Sequence, residues 1–290
     1  MCDYAIITDS SCDLPDWKAE ELGVQMVPLS LTLEGRQYLN TTDKHGIAHK
    51  ELYAQLRSGK MATTSAANVD AFLEKMEPIL QSGKDILYIG FSSALSGTYA
   101  AGNSAAAQLL EKYPERRILT VDSLCASLGQ GLFVYLLAQK RAQGMDFEQL
   151  HQYAEDLKLH ICHWFTVEDL QFLRRGGRVS TAAAMIGTIL SIKPIMHVDD
   201  LGRLIPVSKV RGRKVSMRAL ADKVAQDALP REDQTVFISH GDCLEEANML
   251  AEMITERSGL KVSLIDYVGP VIGAHSGPGT LAVFFIGEKR

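Results

Sequence analysis

Short apolar runs alternate with helix-spaced stretches along the first half of the chain. Tyr4–Thr8, Ile86–Ile89 and Ile118–Val121 read as strands. Helical spacing of apolar positions occupies about Gly46–Arg57, Val69–Leu80, Tyr99–Leu110, Leu128–Arg141 and Phe147–Lys158. Val24–Leu33 reads as one extended segment that turns at Glu34-Gly35, a hairpin-like signal. Strands and helices alternating at these lengths predict a largely parallel sheet flanked by helices, hence an α/β fold.

The second half has a different texture. His163–Val167 and Ile192–Val198 read as strands, and Leu204–Val210 follows the turn Asp199-Asp200-Leu201-Gly202, which predicts an antiparallel hairpin in a mixed sheet. Helices near Val215–Ala228 and Glu245–Ser258 alternate with strands Thr235–Ser239 and Val262–Asp266. Gly269–Gly279 reads as a glycine-rich loop feeding a last strand, Leu281–Ile286. A boundary near Leu157–His160 would separate an N-terminal α/β domain, residues 1–158, from a C-terminal mixed-sheet domain, residues 159–290.

Composition narrows the function classes. The 290 residues are 46% hydrophobic and 22% charged, enough for a substantial core. A net charge of -5 offers no general attraction to nucleic acid or acidic membranes. No apolar run approaches the roughly 20 residues that span a bilayer, and the start of the chain carries no signal-peptide pattern. Five scattered cysteines without a CxxC pair fit reduced thiols in a cytoplasm. Cys162-His163 has no second ligand pair, so no metal is expected.

Four segments carry candidate chemistry. In Gly90–Thr98, Ser92, Ser93, Ser96 and Thr98 follow a strand and precede a helix, an arrangement that suits an anion or a polar βα turn. It is neither a P-loop nor a dinucleotide fingerprint, because the lysine and the glycine spacing are missing. Thr63-Thr64-Ser65 stands before a helix near Asn68, where simple capping is one reading. Arg174, Arg175 and Arg178 surround Gly176-Gly177, and a second basic run covers Lys209–Lys214; such forks bind carboxylate or phosphate, or merely solvate a surface. His275, placed among glycines and Pro278, reads as an imidazole positioned for a ligand. Ser96, His275 and Asp9 could be drawn as a nucleophile triad, with Ser96 attacking and His275 as base, although no nucleophile-elbow motif accompanies them.

Taken in order, Thr8-Asp9-Ser10-Ser11-Cys12-Asp13-Leu14-Pro15, Ser92-Ser93-Ala94-Leu95-Ser96-Gly97-Thr98-Tyr99, Leu173–Arg178, Ile192-Lys193-Pro194 and Ala274–Gly279 resemble the DegV family of bacterial proteins, end to end. That family includes the FakB fatty-acid-binding subunits of fatty acid kinase. The resemblance implies two α/β domains enclosing a long-chain fatty acid, no cofactor, and a kinase catalytic subunit as partner. It maps the carboxyl-binding role onto Thr64, Ser93 or Ser96, and His275, and places Arg178 and Arg211 near the head-group opening. The chain departs from the family where Ala66-Ala67 replaces Gln-Pro after Thr64-Ser65. Candidates for the acyl pocket are Phe91, Ile186, Ile189, Leu190, Ile192 and Met196, residue types that serve equally well as core. The implied role is a carrier that presents the carboxyl to the kinase and holds the acyl phosphate; the alternative is a serine-dependent acyl or phosphoryl transferase built on Ser96 and His275.

Overall fold

The computed structural model describes residues 4–180 and 191–290. Its N-terminal sheet is fully parallel, in the order β2 (Val24–Val27), β1 (Tyr4–Asp9), β6 (Asp85–Gly90), β7 (Ile118–Asp122). Neighbouring side chains of its central strands enter two cores. Ile6, Leu87 and Ile89 pack beneath helices α5 (Leu128–Ala142) and α6 (Phe147–Leu157), whereas Ile7, Ile86 and Tyr88 pack beneath α3 (Val69–Gln81) and α4 (Thr98–Lys112). Burial on both faces is why these strands read as unbroken apolar runs. A helix that the apolar pattern did not signal, α1 (Asp16–Leu22), joins β1 to β2.

Val24–Leu33 is not one strand. Pro28 interrupts it, and the chain leaves the parallel sheet to begin β3 (Ser30–Leu33) in a small antiparallel sheet with β4 (Arg36–Leu39) and β5 (Ala62–Ser65), ordered β4-β3-β5. The expected turn joins β3 to β4, with Glu34 at φ 51° and Gly35 at φ 77°, as a tight hairpin of this hand requires. Helix α2 (His49–Arg57) follows β4. Thr63, Thr64 and Ser65 lie in β5, and the cap of α3 is Asn68, whose side chain accepts from the Ala71 N–H at 2.9 Å. The capping reading of Thr64 is thereby corrected: its side chain is free for other work.

The second sheet is mixed, as expected, in the order β10 (Leu204–Arg211), β9 (Ile192–Val198), β8 (Ile161–Thr166), β13 (Leu281–Ile286), β11 (Val236–His240), β12 (Val262–Tyr267). The β9–β10 hairpin is antiparallel and β11–β12 is parallel. Helices α8 (Arg213–Asp227) and α9 (Leu244–Ser258) cover one face. The opposite face meets α5, so that Leu132 and Phe133 share a core with Phe237 and Phe284. All described strands of this sheet come after residue 158, yet the core runs across that point through α5.

Two short helices complete the frame. Gln171–Arg175 forms α7, and Pro270–Ser276 forms α10, where a loop was expected. Pro270 occupies the first turn of α10, where its missing N–H costs nothing, and Gly277 ends it at φ 80°. Glycine content disguised the helix; position, not composition, decided it.

Candidate functional site

A cavity lies where the three sheets approach one another, with about 950 Å³ of non-atom space counting the part open to solvent. Its floor is the face of the mixed sheet that carries Phe165 on β8, Ala282 and Phe284 on β13, and Ser239 on β11. Phe91 and Leu95, after β6, and Ala126, before α5, form an apolar wall with Ile272 of α10. Most of the surface facing the space is hydrocarbon, with sets of polar side chains set into it.

The first group closes one end. Thr64 Oγ1 lies 2.7 Å from His275 Nε2, joining β5 to the last turn of α10 across more than two hundred residues of sequence. The ring's other side rests on Gly176, where an added Cβ would come within 2.1 Å of Nδ1. Burial, followed by the nearby Arg178 charge, pushes the His275 imidazole down to about 4, so the ring is neutral at pH 7. The Arg178 guanidinium is locked rather than free. Nε and Nη2 donate to the Leu95 carbonyl at 3.2 and 3.1 Å, and Nη1 donates to the Gly176 carbonyl. Among the described residues no carboxylate pairs with it, which leaves its charge available. Thr64, His275 and Arg178 also line an outer groove with Met61, Phe172 and Arg175, so this polar end is where the cavity meets the surface.

The serine-rich loop divides its duties. Ser96 lines the cavity, and its hydroxyl sits 2.9 Å from Thr98 Oγ1 and accepts from the Thr98 N–H at 3.2 Å, tying it to the start of α4. Ser93 is exposed and outside the cavity lining; its N–H donates to Asp122 Oδ1 at 3.2 Å. Of the two serines considered for a carboxyl group, Ser96 lines the cavity and Ser93 does not. Ser92 is buried and donates to the Gly202 carbonyl. The drawn triad does not assemble. Asp9 accepts from the Ser11 and Phe91 N–H groups, and burial pushes its carboxyl up to about 6 against those bonds. His275 is bonded to Thr64, and Ser96 to Thr98.

The remaining candidates scatter. Arg211 is exposed at the end of β10, opposite Ile192, and neither residue lines the cavity. Met196, paired with Phe165 and Pro206 in the sheet, is fully buried in the core it shares with Leu132 and Phe133 of α5 and does not line the cavity. Phe91 does line the cavity. Ile186, Ile189 and Leu190 lie outside the described residues. Sequence reasoning missed the Phe165–Ala282–Phe284 floor, which carries no signal distinguishing it from core. It also set His163 aside. His163 lines the cavity, its Nδ1 lies 2.8 Å from the Ile161 carbonyl, and its Nε2 accepts from the Ala126 N–H at 3.3 Å. Burial drives its pKa well down, so this imidazole too is neutral. Cys12, Cys125, Cys162 and Cys243 are free thiols. Among the described residues there is no cluster arranged to hold a metal ion and no helix long and apolar enough to cross a membrane.

Residues 3–288 match the family model described as an uncharacterised protein of the DegV family. The chain belongs to the DegV family. A DegV domain-containing protein of Clostridium perfringens is 43% identical over 290 residues, covering 100% of this chain and 99% of the relative. A DegV family protein from Thermus thermophilus, whose structure is described as fatty acid binding, superposes with a TM-score of 0.86 at 29% identity, covering 98% of this chain and 99% of that one. A DegV lipid-binding protein from Thermotoga maritima gives a TM-score of 0.86 at 26% identity over 100% of both chains. Both of these DegV structures thus share the fold of this chain over nearly its full length.

Proposed function

We propose that this DegV protein binds a long-chain fatty acid, with its acyl chain in the apolar cavity and its carboxyl group at Thr64, Ser96, His275 and Arg178. The observation that carries the reading is a mostly hydrocarbon cavity whose outward-opening end carries a hydroxyl, an imidazole and a guanidinium that no described carboxylate pairs. A buried carboxylate is costly unless it meets donors or a charge. Here Thr64 and Arg178 supply both, and a neutral His275 can serve a protonated or an ionised acid. Burial at about 0.8 kcal/mol per methylene gives a gross term on the order of 10 kcal/mol for a palmitate-length chain. The fatty-acid and lipid binding of its Thermus and Thermotoga relatives supports the same assignment.

The protein then acts as a carrier, not as an enzyme. It presents the carboxyl through the outer groove to an ATP-dependent kinase subunit and shields the resulting acyl phosphate from water, with Arg178 and Arg175 available to the added phosphate. Native mass spectrometry of freshly purified protein should reveal a copurifying fatty acid, and added labelled palmitate or oleate should exchange into it. A lipid-free chain that takes up neither overturns the reading. With a kinase subunit and ATP, the labelled lipid should appear as acyl phosphate. A fluorophosphonate probe should leave every serine unlabelled, because the Ser96 hydroxyl is bonded to Thr98 and, among the described hydrogen bonds, to no base.

A further inference from the structure

The cavity lining also carries Ser127, Ser239 and Ser276, hydroxyls to which the carboxyl reading gives no role and for which a plain acyl chain has no use. Ser239 projects from the sheet floor beside Ala282 and is fully buried. Its hydroxyl lies 3.1 Å from that of Ser127, which in turn donates to Asp13 Oδ2 at 2.6 Å. Either serine can donate the proton between them, and in both cases Ser239 Oγ keeps hydrogen-bonding capacity beyond that one contact. Ser276, at the end of α10, also lines the cavity, is 5% exposed, and has no hydrogen-bond partner for its hydroxyl. Ser127 holds a backbone conformation of φ 53° and ψ -149°, rarely adopted by a residue with a side chain, so its position is dictated by its surroundings.

Burying a hydroxyl without a partner is unfavourable, and an alkyl chain laid across Ser276 would leave its hydroxyl in that state while offering Ser239 nothing beyond Ser127. A ligand hydroxyl is donor and acceptor at once. It can donate to Ser239 Oγ and accept from Ser276. We infer that Ser239 and Ser276 form a subsite for a hydroxyl group along the acyl chain, and that the preferred ligands are monohydroxylated long-chain fatty acids. This inference rests on the fatty-acid reading above and adds a substrate class to it.

The test is competition by stearic acid and a positional series of monohydroxylated stearic acids against a fluorescent fatty acid bound to the full chain. At least one hydroxylated isomer should bind about fivefold tighter than stearic acid, the ratio expected of one net hydrogen bond. In S239A and S276A that preference should shrink toward unity while stearic acid binds as well as before or better. Stearic acid that binds as tightly as every hydroxylated isomer overturns the subsite and leaves the fatty-acid reading intact. So does a preference that survives in the S239A/S276A double variant. If S276A weakens stearic and hydroxystearic acids equally, Ser276 belongs to the carboxyl end and the subsite is again overturned. Failure to bind any of these acids removes both readings.

Discussion

Thr64 and His275 hold each other in place at the mouth of the cavity, and neither has an alternative partner among the described hydrogen bonds. T64V keeps the shape of the side chain and removes the hydroxyl. Fatty-acid affinity should fall about tenfold, the cost of one buried hydrogen bond, as read by displacement of a fluorescent fatty acid. Asp13 offers a test on stability. Burial pushes its carboxyl from the ordinary 3.8 up to about 7, despite the bond from Ser127. A carboxyl raised on folding favours the native state below its unfolded pKa, and that contribution is lost as the pH rises through the folded value. D13N cannot ionise, and asparagine tolerates the left-handed backbone found there, at φ 52°. Its melting temperature relative to wild type should therefore climb between about pH 4 and pH 7 and level off above. A constant difference across that range would show that Asp13 titrates normally.

Elements matter here chiefly for how closely they approach. Helix α7 ends against α10, and Gly176 lets the backbone come within contact of the His275 ring. Its own φ is -71°, so alanine is compatible with the backbone, and the damage from G176A should be confined to the imidazole. Affinity should fall at least as far as in T64V. G177A, one residue along at φ 73°, strains the backbone with open space around it, and should lower stability while sparing affinity. Gly273 makes a similar approach on the other side of α10, where an added Cβ would meet the Tyr53 hydroxyl, itself bonded to the Val268 carbonyl at 2.8 Å. These contacts explain why a glycine-rich segment reads as a loop and folds as a helix: its glycines serve the neighbours, and Pro270 and Gly277 mark its ends. The strand-to-helix reading around Ile86–Leu110 succeeded for the opposite reason, since its period and its length both match what buries it.

For the whole molecule, α5 is the shared layer between two sheets, and the cavity opens where the third sheet meets them. Filling that space should stabilise the assembly as a unit. Stripping bound lipid by organic extraction or delipidating resin should lower the melting temperature, and adding back fatty acid at about a hundred times its Kd should restore roughly 2.7 kcal/mol. A melting temperature indifferent to lipid would place the ligand outside the core of the fold.

Local pattern determined the parallel sheet, the β9–β10 hairpin and most helices, and it singled out Thr64, Ser96, Arg178 and His275, which line the cavity, because period, turn residues and clustered polar groups are properties of short segments. Tertiary structure alone decided that Thr64 reaches His275 and that Ser93 faces water. It also decided that Met196 is core while Phe165 and Phe284 line a cavity. The reason is physical: a side chain buried against protein and one buried against a cavity have the same hydrophobicity, and only the positions of distant elements tell them apart.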